Sequence, residues 1–138
     1  NILYGTIPLL WANEETGGAG PSKPGSWVAN RELFLETYRN VCKLHEVIAG
    51  QEMTVHEFLT LDGMVQRTCF ADGTEVVVNF GESVYEATVG GKKYQLPQYG
   101  FAVKGPRIEQ SRALIDGRIV TNIHTNTYDF QDFKQCNN

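Results

Sequence analysis

The sequence has little that carries chemistry by itself. Three cysteines, Cys42, Cys69 and Cys136, stand among 138 residues, and none belongs to a C-x-x-C pair. The usual zinc and redox spacings are therefore missing. A Cys69–Cys136 or Cys42–Cys69 bridge stays open, and at least one thiol is left over. His45, His56 and His124 are too far apart for a metal motif, and His56-Glu57 lacks the second histidine of H-E-x-x-H. No metal and no cofactor is expected. Ser22, Ser26, Ser83 and Ser111 lack the G-x-S-x-G context of a nucleophile elbow. Gly17-Gly18-Ala19-Gly20 does not fit G-x-G-x-x-G and runs straight into Pro21, which speaks against a dinucleotide loop.

Charge and hydropathy exclude further classes. Twelve basic residues face sixteen acidic ones, for a net charge of −4, and the basic ones are scattered. A phosphate backbone needs a basic footprint, so no nucleic-acid partner is expected. The longest apolar run, Ile7 to Ala12, contains Pro8 and is far too short to cross a bilayer. No membrane partner is expected, and no basic region followed by an apolar one opens the chain as a signal peptide would.

What is present falls into two unlike parts, residues 1–50 and 51–138. Ile2 to Trp11 is an almost continuous apolar stretch, as in a strand covered on both faces. A Gly- and Pro-rich loop from Ala12 to Ser26 follows, long for a compact domain. Asn30 to Ala49 then has helical periodicity. Phe34, Tyr38, Val41, His45 and Ile48 form one stripe with Leu44 at its edge, Asn30 is a candidate N-cap, and Gly50 is a candidate terminator. A strand, a loop and a helix in this order form a βα unit, which belongs in a larger α/β array.

From Met53 the period becomes that of strands. Runs at Met53–Thr60, Met64–Phe70, Thr74–Phe80, Val84–Val89, Lys92–Leu96, Phe101–Lys104, Arg107–Ile115 and Arg118–His124 are short, and Tyr128–Phe133 adds a closing one. Tight turns at Asp62-Gly63, Asp72-Gly73, Gly90-Gly91 and Asp116-Gly117 separate them. This spacing predicts an antiparallel β-sandwich of seven to nine strands, making the chain mainly β.

The stretch Phe70-Ala71-Asp72-Gly73-Thr74-Glu75-Val76-Val77-Val78-Asn79-Phe80-Gly81, followed by Leu96-Pro97-Gln98-Tyr99-Gly100-Phe101-Ala102-Val103, resembles the C-terminal β-sandwich of certain glycoside hydrolases. The group is that of α-N-acetylgalactosaminidases and endo-α-N-acetylgalactosaminidases. In that resemblance Leu3 to Leu10 stands for the last strand of a (β/α)₈ barrel and Asn30–Ala49 for its last helix. The resemblance implies that the catalytic carboxylates lie on earlier barrel strands. The chain would then be a non-catalytic C-terminal fragment of a glycosidase with no catalytic residue of its own. Its partner would be the catalytic barrel, with a glycan as a further ligand, and its setting secreted or periplasmic.

A few residues are candidates for substrate contact. Glu14 and Glu15 are the one adjacent pair of acids and lie with Trp11 and Asn13 after the apolar stretch, where a barrel builds its active site. Two neighbours on one loop are poorly placed as the opposed carboxyls of a glycosidase. Solvation of the loop explains the acids equally, and core packing explains Trp11 and Trp27. Tyr85, Tyr94 and Tyr99, if exposed in a row, would instead mark an autonomous carbohydrate-binding module. Asp72 is read as a turn residue, and Asn79, polar in an otherwise apolar strand, as structural, capping an edge or hydrogen-bonding a loop. The helix stripe, cut off from a barrel, needs the sheet or a second copy to cover it, so self-association through the helix is expected.

Overall fold

The structure, a computed structural model, describes residues 2–6 and 27–134. A single helical rod precedes nine strands. It consists of α1 (Trp27–Thr37), a π-helical turn (Tyr38–Cys42) and α2 (Lys43–Ile48). The strands are β1 (Met53–Phe58), β2 (Val65–Phe70), β3 (Glu75–Asn79), β4 (Tyr85–Val89), β5 (Lys92–Leu96), β6 (Phe101–Lys104), β7 (Ile108–Ile115), β8 (Arg118–Thr125) and β9 (Asp129–Lys134). All pairings are antiparallel, and the strands belong to one open, connected sheet. The order is β1-β2-β3-β6-β7-β5-β4, with β8 also on β7 and β9 on β8.

The turn chemistry explains why the strands break where they do. Gly90 and Gly91 both have positive φ, as do Asp116 and Gly117, which is the backbone of a two-residue hairpin turn. Gly63 and Gly73 take the same left-handed region after Asp62 and Asp72. In the second of these turns Asp72 Oδ1 accepts the Thr74 N–H at 2.9 Å, so its role in the turn is as expected.

Both faces of the sheet centre are covered, which is why β3 reads as nearly all valine. Val76 and Val78 face one side with Phe70, Phe101, Val103 and Ile108, and there they meet Leu3, Leu44 and Ile48. Val77 faces the other side with Val65, Ala102 and Ala113. That side is closed by the β4–β5 hairpin, through Ala87, Val89, Tyr94 and Leu96. The hairpin bonds the rest of the sheet through a single pair, Gln95 and Leu114. So weak a tether lets it turn over the sheet instead of extending it. Each large apolar side chain buried in these two clusters contributes about 1.5–3 kcal/mol.

The amino-terminal part departs from its reading in three ways. Ile2–Gly5 forms a turn, closed by a Gly5 N–H to Ile2 carbonyl bond, where a strand is expected. Gly5 sits at φ +63, and a Cβ there would lie 2.2 Å from Ile48 Cδ1, so this close approach requires glycine. The rest of that expected strand, residues 7–11, and the loop to Ser26 lie outside the described residues. The helix begins at Trp27, which places Asn30 in its first turn and not at its cap. Tyr38 is 54% exposed, although regular spacing puts it on the apolar stripe. The π turn bonds i to i+5 and so takes up one more residue than an α turn, which changes the facing of what precedes it. The buried positions are Asn40, Val41, Leu44 and Ile48, and Gly50, at φ +80, ends the rod as expected.

Candidate functional site

The segment Ile2–Thr6 lies against the helix and the sheet. Thr68 Oγ1, fully buried, donates to the Leu3 carbonyl at 2.7 Å, and His45 Nδ1 lies 2.7 Å from the Gly5 carbonyl. These bonds hold Ile2 and Leu3 beside the helix, and a cleft of about 370 Å³ opens next to them. Leu33, Thr37, Asn40 and Val41 line it from the helix, and Val78, Phe80 and Phe101 from the sheet. Tyr99, Glu36 and Arg112 complete the lining, with Arg112 Nε 3.9 Å from Glu36 Oε1. The cleft is therefore mostly apolar with one loosely held ion pair at its side. Its volume is within the range of small-molecule pockets.

Tyr99 is held there by Asn79. The Asn79 side chain is buried and donates from Nδ2 to the Ser83 carbonyl at 2.8 Å and the Leu96 carbonyl at 2.9 Å. Its Oδ1 accepts the Gly81 N–H at 2.9 Å, and its backbone carbonyl accepts the Tyr99 N–H at 2.7 Å. The loop after β5 is thereby fastened to the end of β3, and Tyr99 takes φ +58 and is 63% exposed. A bulky residue in the left-handed region costs roughly 1–3 kcal/mol, which the surrounding bonds offset.

Several carboxylates on the sheet are paired with lysine or arginine. Arg67 receives two of them, Glu57 at 2.5 Å and Glu75 at 2.6 Å. Glu109 accepts from Lys104 at 2.6 Å and Lys92 at 3.2 Å, and these bonds hold its pKa down at about 2. Beside it the Tyr94 phenol, 3.4 Å away, is pushed up to about 12, first by burial and then by the Glu109 charge. A general acid in a glycosidase must keep its proton near neutral pH. The ammonium groups around Glu109 do the opposite.

Of the residues picked out in the sequence, Trp11, Asn13, Glu14 and Glu15 lie outside the described residues, as do Ser22, Ser26 and Cys136. The backbone of Trp27 is helical, and its side chain is outside them too. The three histidines do not come together: His45 meets Gly5, His56 meets Gln66, and His124 meets Asp129. No group of three or more metal-ligating side chains occurs among the described residues. Cys42 and Cys69 are free thiols. Tyr94 is buried, Tyr85 is half-buried and Tyr99 is exposed, so the three tyrosines do not form an exposed row. Arg112 and Glu109 carry no motif, and only the antiparallel register brings them to their places. No protein-family model matches the chain, and no curated protein or solved structure matches it either.

Proposed function

We propose that the chain is a non-catalytic, sandwich-like β domain of a carbohydrate-processing hydrolase, and that it docks on the catalytic barrel of that enzyme. One observation carries this reading. The helix-side face holds a large apolar cleft with Leu33, Phe80 and Tyr99 exposed around it, while Glu57, Glu75 and Glu109 are each held by lysine or arginine. An apolar surface of this kind fits a protein neighbour, and paired carboxylates do not fit an acid–base couple. The β4–β5 hairpin laid over the opposite face supports the sandwich-like description.

The natural polypeptide that contains this sequence tests the reading. Antibody detection should show a product several times heavier than 15.4 kDa. That product should cleave aryl glycosides, and Tyr99→Lys in it should weaken the association of the two parts. A natural product of 15.4 kDa would overturn the proposal. A second reading, an autonomous sugar-binding module, is favoured by Tyr99 alone, an exposed aromatic held at the cleft. Binding of the isolated chain to a glycan panel, lost in Tyr99→Ala, would select it.

A further inference from the structure

We propose that the free edge of β1 pairs with the same strand of a second copy, joining two sheets across a two-fold axis. This inference is independent of the docking reading. Among the described residues β1 bonds to β2 alone. The Leu59 N–H reaches the Val65 carbonyl at 2.8 Å, and the register continues through Phe58↔Gln66 and Glu57↔Arg67. Bonding alternates along an antiparallel ladder. Leu59 and Glu57 therefore turn their backbone groups toward β2, and Phe58 and His56 turn theirs to the open edge.

The side chains leave that edge open to pairing. Met53-Thr54-Val55-His56-Glu57-Phe58 has no lysine, proline or glycine, the residues that usually blunt an edge. By contrast β9 carries Asp129, Asp132 and Lys134. The one charge on β1, Glu57, is held by Arg67 on the neighbouring strand. Val55 and Phe58, on opposite faces, are 40% and 63% exposed, so an added strand would cover apolar surface on both sides. A register irregularity between Met53 and Val55 confines the regular edge to Val55–Phe58.

A second copy fits because an antiparallel edge is its own complement. Centring the two-fold axis on His56 keeps the paired residues on β1, with the two His56 side chains opposite each other, Glu57 opposite Val55, and Phe58 opposite Thr54. With both histidines neutral, no like charges meet in this register. Moving the centre to Glu57 would oppose two carboxylates, which is unfavourable.

Sedimentation of the 138-residue chain over a range of concentrations tests the proposal, combined with amide hydrogen exchange. The expected result is a mass rising toward twice 15.4 kDa, with exchange at His56 and Phe58 slowing as dimer forms. His56→Pro removes an outward N–H at the centre without touching the β1–β2 ladder, and Phe58→Lys places a charge within the paired edge. Each should return the chain to monomer with an unchanged circular dichroism spectrum. If His56→Pro alters that spectrum, Phe58→Lys decides. A monomer at every concentration would overturn the proposal, as would a dimer that survives Phe58→Lys or leaves these two amides exchanging fast.

Discussion

Gln110, fully buried on β7, donates its side-chain N–H to the backbone carbonyl of Asn40 at 2.8 Å. Asn40 lies inside the π-helical turn, where the shift from i+4 to i+5 bonding disturbs the usual ladder of carbonyl partners. The sheet thus supplies a donor at the irregular point of the helix. A second bond of the same kind links Arg107 to the Val47 carbonyl, where the cation also suits the negative end of the helix dipole.

Gln110→Met keeps the volume and removes the donor. The Asn40 carbonyl is then buried without this partner, at a cost of about 1–3 kcal/mol. The substitution also removes Gln110 Oε1, which has no hydrogen-bond partner, so the loss should fall toward the lower end of that range. Urea unfolding checks it as a lower midpoint with an unchanged slope. A midpoint equal to that of the native chain would mean that the bond does not hold the helix.

Asn79→Asp should be more damaging than Asn79→Ala. The Nδ2 group faces the carbonyls of Ser83 and Leu96, with that of Pro97 at 3.3 Å. A carboxylate there would point a negative oxygen at acceptor atoms in a buried place, where an unpaired charge costs about 3–5 kcal/mol. Alanine leaves the same carbonyls without a donor but adds no charge. Thermal unfolding of the two variants at neutral pH should give the order native, alanine, aspartate. The reverse order of the last two would contradict this account of Asn79.

These two residues show where the sequence is informative and where it is not. The strands were legible because glycine pairs and Asp-Gly turns bound short alternating runs, and those are local features. Asn79 stands out as polar in an otherwise apolar run, but that contrast does not tell an edge cap from the loop bonds the structure shows. Gln110 did not stand out, since its purpose depends on a helix about 70 residues earlier. The π turn was equally hidden, because a one-residue insertion leaves helical periodicity nearly intact. The joining of all nine strands into one sheet rests on β7, whose neighbours are β6, β5 and β8. Such pairing is set by three-dimensional closure, which local patterns do not encode. The candidate site was the least legible part, since the cleft is assembled from the turn at Ile2, the helix, three strands and one loop.

Tyr99→Gly should leave stability within about 1 kcal/mol of the native chain. Glycine relieves the strain of the left-handed backbone and adds conformational freedom to the unfolded chain, and these effects oppose each other. The exposed ring contributes little burial to lose. Tyr99→Val, which keeps an apolar side chain but is branched at Cβ, should be worse than glycine, because β-branched residues tolerate positive φ poorly. Chemical denaturation of both variants decides it. A large loss in Tyr99→Gly would show that the ring, and not the backbone, is what this position needs.

Acid titration should reveal the Glu109 cluster. Its carboxyl falls from an ordinary 4.5 to about 2 in the folded chain, because Lys104 and Lys92 donate to its charged form. A folded-state value below the unfolded one means that the unfolded chain binds its proton first as pH falls. The stability from this group is therefore complete above about pH 4.5 and is lost as pH drops toward 2. Glu109→Gln removes that dependence, so the difference in stability between native and variant should shrink across this window and vanish below it. Salt should shrink it too, since the pair partners are partly exposed. Tyr94 gives the opposite signature at the alkaline end. Its pKa is raised from 10.0 to about 12, so its contribution is complete below pH 10 and declines as pH rises toward 12. Unfolding of native chain, Glu109→Gln and Tyr94→Phe from pH 2 to 12 separates the two effects. A constant difference between native and Glu109→Gln from neutral pH down to 2 would show that the lysines do not hold the carboxylate in its charged form.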